Sequence, residues 1–410
     1  VTPPRRVVVT GLAYATGLGF GPDDHEPALR AGRGAARPIT RFDPAGCRTH
    51  LGAQVDEAGL AERLRERGLR AGLRRAGLET RLLAWALSEA LEDAGLERSG
   101  PALPLVLGTT LEGFGRGELW FAERRRDPAR ARPARLREVL SGGQIATVAD
   151  LLGRPLAAQV VSNACATGVS ALGRLFRRIR SGAAEIGLAG GYDVLGRFIH
   201  LGFDSLGALT PDRCAPFDRG RSGFFIGDGA AILVLESLES ARRRRARVRG
   251  EILGYGESAE AHHPTHPQPD GAGIARAIRR ALEAADLTPQ DVDYINAHGT
   301  GTPANDTAEA RGILRALGEE AGRRVPVSST KALVGHTLGA AGAVEQCFVL
   351  LALERGFLPP QANLREPDPE CPLRLVREPS EGRPRVALNH AFGFGGANGV
   401  LVARRWEDGP

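Results

Sequence analysis

Lysine is nearly missing from this chain and methionine is missing altogether. Lysine and arginine together number 54 in 410 residues, and the one lysine is Lys331. A compositional bias that places arginine wherever charge alone matters accounts for this. The scarcity excludes several activities. Lys331 follows Thr330, so there is no G-x-x-x-x-G-K-[ST] phosphate loop. Val327 stands where a Tyr-x-x-x-Lys reductase pair needs tyrosine, and Ser328-Ser329-Thr330 is not the strand of a kinase lysine. No polylysine tail exists for nucleic acid. Aromatic residues are 5% of the chain and are not interleaved with the arginines, so base stacking has little support. The five cysteines are an odd number without C-x-x-C spacing, which argues against a disulfide framework and a zinc ribbon. No apolar run approaches membrane-spanning length. Neither a G-x-S-x-G elbow nor an H-E-x-x-H pair occurs.

What remains is ordinary globular composition, 42% hydrophobic and 25% charged, with 54 glycines. Glycine is thus about twice as frequent as usual, which predicts many tight turns and close backbone approaches. The length allows one large domain or two or three ordinary ones. Net charge is +6, and arginines cluster at 63–75, 124–137, 174–180 and 242–249. Such clusters are either solvated helix faces or a docking surface for an acidic partner. Arg5-Arg6 before Val7-Val8-Val9 has a superficial likeness to a secretion signal. Gly11, Gly17 and Gly19 interrupt the apolar part, so the reading is a first strand and a cytoplasmic protein.

Val7-Val8-Val9-Thr10 predicts a buried strand running into a turn at Gly11. Leu82, Leu83, Ala86, Leu87, Ala90 and Leu91 predict a helix over 79–94, and Pro104 to Leu107 a strand ending at Gly108-Thr109. A helix over 273–285 and a strand over Val292 to Ala297 repeat that order. The segment 90–96 (ALEDAGL) matches 281–287 (ALEAADL), and Gly108-Thr109 then falls on Gly299-Thr300. A second echo joins Phe225 to Ala230 with Phe392 to Ala397. These repeats predict two related halves, 1–250 and 251–410, in an α/β architecture of largely parallel sheets. No long linker separates them. The stretch 261–270 (AHHPTHPQPD) reads as a polar, proline-punctuated loop.

Four segments hold candidate chemistry. Cys165 lies in NACATG, between the strand-like Val160-Val161-Ser162 and a helix marked by Val169, Leu172, Leu175, Phe176 and Ile179. At a helix N-terminus a thiolate is favoured and free N–H groups can hold an oxyanion. A small buried hydrophobe is the other reading of that cysteine. His298 stands at the mouth of a strand and is followed by Gly299, Thr300, Gly301 and Thr302, where catalytic groups of open α/β sheets collect. It reads equally as a structural cap. Lys331 and His336 open a small-residue helix from which Glu345 can pair with the lysine. Where arginine is the rule, a lone lysine marks a site needing a compact ammonium. Asn389 to Gly399, with Phe392 and Phe394, reads as a tight turn beside a cavity, and His390 as structural. His262, His263 and His266 lack a carboxylate partner for a metal, and no metal is assigned.

The motifs NACATG, NAHGTGTPAND-x-x-E, SSTK-x-x-x-GH-x-x-G-A-A-G and FGFGGAN occur in this order. The chain resembles the β-ketoacyl-ACP synthases of fatty-acid and polyketide assembly, from about Val7 to Val402. That resemblance implies a layered αβαβα thiolase-like fold of two similar halves, and usually a dimer. It implies Cys165 as the nucleophile that carries the acyl chain, and His298 and His336 as the pair promoting malonyl decarboxylation. Lys331 would order the site, with Glu345, Asp306 and Asn398 as structural groups. Thr300 and Thr302 would contact phosphopantetheine. Phe394 would gate the site beside Phe392, and its N–H with that of Cys165 would form the oxyanion hole. Leu111 would line the acyl pocket. The partner would be an acidic acyl carrier protein, docking on Arg67, Arg70, Arg74, Arg75, Arg124 and Arg125. The phosphopantetheine arrives on that carrier, and no cofactor is consumed. The second subunit would be a copy or a chain-length-factor-like protein. Asn163 and Ala397 stand where many relatives have threonine. A CoA-dependent thiolase would need a second cysteine in the C-terminal glycine-rich turn, and a non-catalytic chain-length subunit would lack Cys165.

Overall fold

Val7, Val8 and Val9 begin a strand that runs unbroken to Thr16 and is buried along its whole length. Branched side chains suit a pleated backbone covered on both faces. The expected turn at Gly11 is not there. A Cβ at Gly11 would lie 2.5 Å from the Ala90 carbonyl oxygen of a packed helix, so close approach, not turning, demands glycine. The pairing register shifts at this point.

The computed structural model describes residues 4–129 and 131–407. Arg130 of the basic run 124–137, and the outermost residues of the two predicted halves, lie outside it. Ten strands carry the architecture: β1 (Val7–Thr16), β2 (Leu103–Gly108), β3 (Leu156–Val161), β4 (Ile186–Asp193), β5 (Gly229–Ser237), β6 (Gly250–Ala259), β7 (Tyr294–Asn296), β8 (Pro326–Ser328), β9 (Val386–Gly393) and β10 (Ala397–Arg404). Their order in the sheet is β8-β7-β9-β10-β6-β1-β5-β4-β2-β3. The two groups of five are the same arrangement. In each, the third, second and fourth strands run parallel, and the fifth and first are antiparallel to their neighbours. The groups meet where β1 pairs antiparallel with β6.

Both sequence echoes fall on equivalent elements. ALEDAGL ends helix α1 (Leu78–Asp93) ahead of β2. ALEAADL ends a later helix (Ala272–Ala285) ahead of β7. The paired phenylalanine-glycine segments lead into β5 and β10.

Helix α2 (Ser141–Leu152) joins α1 outside the first group of strands. Helix α3 (Thr167–Arg180) lies between the two groups. The helix Ala272–Ala285 (α4) and α5 (Pro303–Leu317) cover the second group from outside, and α6 (Ala341–Arg355) joins α3 in the middle. Strand alternation divides the side chains between layers. Leu105 and Leu107 face the outer helices, and Val106 between them faces α3. The result is five layers, αβαβα. Helix α6 is buried nearly all round, which explains its even spread of apolar residues. No helix among the described residues is long and apolar enough to cross a membrane.

Candidate active site

The ends of β3, β7, β8 and β9 open onto one cavity of 410 Å³. Cys165, His298, His336, Phe392, Phe394, Thr300, Thr302 and Asn398 line it. Segments up to 233 residues apart therefore converge, as the motif order requires.

Cys165 follows β3 and precedes α3, as its sequence setting predicts. Ala164 is held at a φ of 46°, so the chain turns sharply and presents the sulfur. The Thr167 hydroxyl pins this turn: it donates to the Ala164 carbonyl and accepts the Asn163 N–H at 2.7 Å. Gly393 packs on the other side, where a Cβ would meet the Cys165 nitrogen at 3.0 Å. The Phe394 N–H is hydrogen-bonded to Cys165. The thiol itself departs from the expectation of a lowered pKa. Burial pushes it up to about 12, and Lys331 only partly offsets this. The resting group is a thiol, and attack requires a base.

Two imidazoles share the cavity. The rings of His298 and His336 lie 5.4 Å apart. Burial first, and then the Lys331 charge, hold both well below the usual histidine range, so both are neutral at pH 7. His336 Nδ1 accepts the Leu338 N–H at 3.2 Å. Its one proton is therefore on Nε2, which has no protein partner among the described residues. That N–H is a donor available to an oxygen in the cavity.

Lys331 is completely buried behind the histidines, and Nζ lies 2.5 Å from Glu345 Oε1. The lysine does not line the cavity. Burial pushes the Glu345 carboxyl up, and the ammonium opposes that shift. Asp306 is likewise buried. It accepts the Phe217 N–H at 2.8 Å and faces Arg221. Burial raises it to about 6. Its carboxylate also takes the Gly301 N–H and so braces the loop carrying Thr300 and Thr302, whose hydroxyls lie 2.9 Å apart.

The turn at Phe394 depends on glycine. Gly395 and Gly396 have φ of 81° and 76°. Asn398 Nδ2 donates to Glu260 Oε1 at 2.9 Å, and the Glu260 N–H donates to the Gly396 carbonyl at 3.0 Å. The loop 261–270 closes over this turn, with the Gly395 N–H on the Pro264 carbonyl. His266 of that loop lines the cavity, and His263 accepts N–H bonds from Thr265 and His266.

Two expectations are displaced. Leu111 does not line this cavity. It is partly buried against the core cluster that includes Leu195, Phe224 and Leu338. Arg67 is not a free cation. It pairs with Glu89 and Glu92, and its side chain is 15% exposed. Arg70, Arg74, Arg75, Arg124 and Arg125 are exposed.

Three acids at the site were not singled out in the sequence. Glu309 takes the N–H groups of both His298 and Gly299 at 2.8 Å, and also binds His390 Nδ1 at 3.0 Å. Asp193 joins Thr109, Thr110, Leu111 and Gly339. Glu260 holds Asn398 and the Gly396 carbonyl. Glu309 closes the NAHGTGTPAND-x-x-E motif, so its spacing was a usable signal; Asp193 had none.

The β-ketoacyl synthase N-terminal domain family matches residues 4–241, and the β-ketoacyl synthase C-terminal domain family matches residues 249–365. A Streptomyces halstedii protein named as a polyketide β-ketoacyl synthase 1 is 38% identical over 97% of each chain. The 3-oxoacyl-[acyl-carrier-protein] synthase 2 of Coxiella burnetii is 36% identical over 98% of this chain and 99% of its own. Among solved structures, the ishigamide ketosynthase/chain length factor superposes with a TM-score of 0.90 at 36% identity, covering 98% of this chain and all of that one. A type II polyketide ketosynthase in complex with its acyl-carrier protein superposes at 0.85 and 29% identity, covering 98% of this chain.

Proposed function

The chain belongs to the β-ketoacyl synthase family and performs β-ketoacyl-ACP synthase condensation in fatty-acid or type II polyketide elongation, and we propose that it does so through an acyl thioester on Cys165. The observation that carries this is the convergence of Cys165, His298, His336 and the Phe394 turn on one cavity.

In the first half-reaction the Cys165 sulfur attacks the carbonyl of an acyl-carrier thioester. Because burial keeps the thiol protonated, a neutral imidazole of the cavity takes its proton as the C–S bond forms. The N–H groups of Cys165 and Phe394 hold the oxyanion. The carrier thiolate leaves and regains the proton. In the second half-reaction a malonyl thioester occupies the same cavity. Its carboxylate leaves as carbon dioxide, and the electron pair of the broken C–C bond forms an enolate. The Nε2–H of His336 donates to the enolate oxygen, and His298 lies beside it. The enolate carbon then attacks the Cys165 thioester, a C–C bond forms, the C–S bond breaks, and Cys165 leaves as a thiolate that takes up a proton from water to restore the thiol. Lys331 and Glu345 position this centre, and the Lys331 charge is one reason that the histidines stay neutral.

We assign the Thr300 and Thr302 hydroxyls, which line the cavity, to the amides of a phosphopantetheine arm. Arg70, Arg74, Arg75, Arg124 and Arg125 are our docking candidates for the acidic carrier; Arg67, already paired, is withdrawn. A second subunit, a copy or a chain-length-factor-like protein, would pair along β3. There Ala157, Ala158, Gln159 and Val160 are exposed on a sheet edge that no strand pairs among the described residues, with Phe121 and Leu140 exposed in the same half. The reading is tested by condensation of an acyl-carrier thioester with malonyl carrier protein. Product should form with the native chain, and Cys165→Ala should give none.

A further inference from the structure

Strand β6 belongs to the second group of strands, yet it reaches the nucleophile turn of the first. Helix α3 presents Ser170, Gly173 and Arg177 at spacings of three and four residues, hence on one face. Tyr255 of β6 lies against that face. A Cβ at Gly173 would come within 2.4 Å of the Tyr255 ring, so the glycine makes room for it. The Arg177 guanidinium covers the ring at 4.7 Å.

A chain of hydrogen bonds runs through this contact. Glu257 Oε1 accepts from Arg177 at 2.6 Å, and Oε2 accepts from the Tyr255 hydroxyl at 2.8 Å. Burial opposes ionisation of Glu257, but its bonds from Arg177 and Tyr255 hold it below the usual range. It is therefore a carboxylate and can only accept. That fixes every other direction. The single Tyr255 proton goes to Glu257, so the Tyr255 oxygen, 3.3 Å from Ser170 Oγ, accepts the Ser170 proton. Ser170 Oγ then accepts from Asn163 Nδ2 at 3.2 Å. Tyr255 and Ser170 are buried, so a broken link would strand a polar group away from water. Asn163 lies two residues before Cys165, and a Cβ added at Gly393, next to Phe394, would lie 3.2 Å from its carbonyl oxygen, so the two turns pack closely. The Cys165 N–H lies on the turn that Asn163 begins, and the Phe394 N–H follows Gly393, which packs against that turn.

We propose that Tyr255 and Glu257 are positioning residues for acyl transfer, acting through Ser170 and Asn163 to hold the nucleophile turn in register with the Phe394 turn. The proposal rests on Cys165 being the acyl acceptor. A small displacement of oxyanion donors costs part of what removing one does, so loosening the chain should slow acylation about tenfold.

The test is single-turnover acylation of Cys165 by an acyl-carrier thioester, followed by intact mass, in native, Tyr255→Phe, Asn163→Ala and doubly substituted proteins. Acylation of the native protein establishes the underlying reading separately; its failure would fault that reading and not this one. The expected result is a roughly tenfold slower Tyr255→Phe with the half-saturating carrier concentration within twofold of native. In the Asn163→Ala background, Tyr255→Phe should add nothing, because the two act in series. A native rate for Tyr255→Phe, or a full independent effect in the Asn163→Ala background, would overturn the proposal. Should Tyr255→Phe not fold, Glu257→Gln at its half-exposed position decides: slower acylation supports the proposal and a native rate refutes it.

Discussion

Replacing Lys331 with methionine should make folding stability depend on pH in a way that identifies Glu345 as its partner. Lys331 is completely buried and Glu345 almost so, with the two charges in contact at 2.5 Å. Burial alone raises the Glu345 carboxyl, and the ammonium pulls it back. Without the ammonium the folded value rises further above the unfolded one, about 4.3. A folded acid with a raised pKa binds its proton more tightly than the unfolded chain does. Its full contribution to stability is therefore present below about pH 4 and is lost as pH climbs toward the folded value. The slope is about 1.4 kcal/mol per pH unit. From pH 5 upward the variant should lose stability at that slope, relative to a protein without this titration, until the folded value is reached. The assay is urea unfolding at pH 5, 6, 7 and 8, comparing Lys331→Met with Lys331→Met/Glu345→Gln. All other titrations cancel in that difference. The gap should be small at pH 5 and widen steadily to pH 8. Parallel curves for the two variants would refute the assignment of Glu345 as the buried acid that needs Lys331.

Three further outcomes follow from the same geometry. Lys331→Arg keeps the charge but forces a larger, planar group into a filled site at a cost of about 1–3 kcal/mol; decarboxylation of malonyl carrier protein should fall at least tenfold, and native activity would return the lone lysine to compositional chance. Iodoacetamide inactivation should accelerate by nearly tenfold per pH unit from 7 to 9 without levelling, because burial pushes the Cys165 thiol up; a plateau by pH 8 would show a lowered thiol instead. Arg124→Glu should raise the half-saturating carrier concentration several-fold at low salt and less at high salt, measured in the condensation assay; an unchanged value would remove Arg124 from the docking surface.

Local order was well written in the sequence. The helices and strands flanking Cys165 and His298 follow from apolar spacing, and the ALEDAGL and ALEAADL echoes mark equivalent positions in the two halves. What the sequence could not show depends on partners far along the chain. Gly11 looked like a turn because its reason, the Ala90 carbonyl, lies on another element. A helix N-terminus argued for a reactive Cys165 thiolate, but burial pushes the thiol up, and burial emerges only when distant segments close over the sulfur. Arg67 looked like its exposed neighbours until Glu89 and Glu92 were seen beside it. Asp193 was invisible because it joins Thr109 to Gly339 and belongs to no local motif.

The most direct measurement is intact-protein and peptide mass spectrometry after incubation with an acyl-carrier thioester. The account predicts one added acyl mass, removable by hydroxylamine and located on Cys165, with no acylation and no condensation in Cys165→Ala. Acylation at Cys47, Cys214, Cys347 or Cys371 instead, or continued condensation by Cys165→Ala, would contradict it.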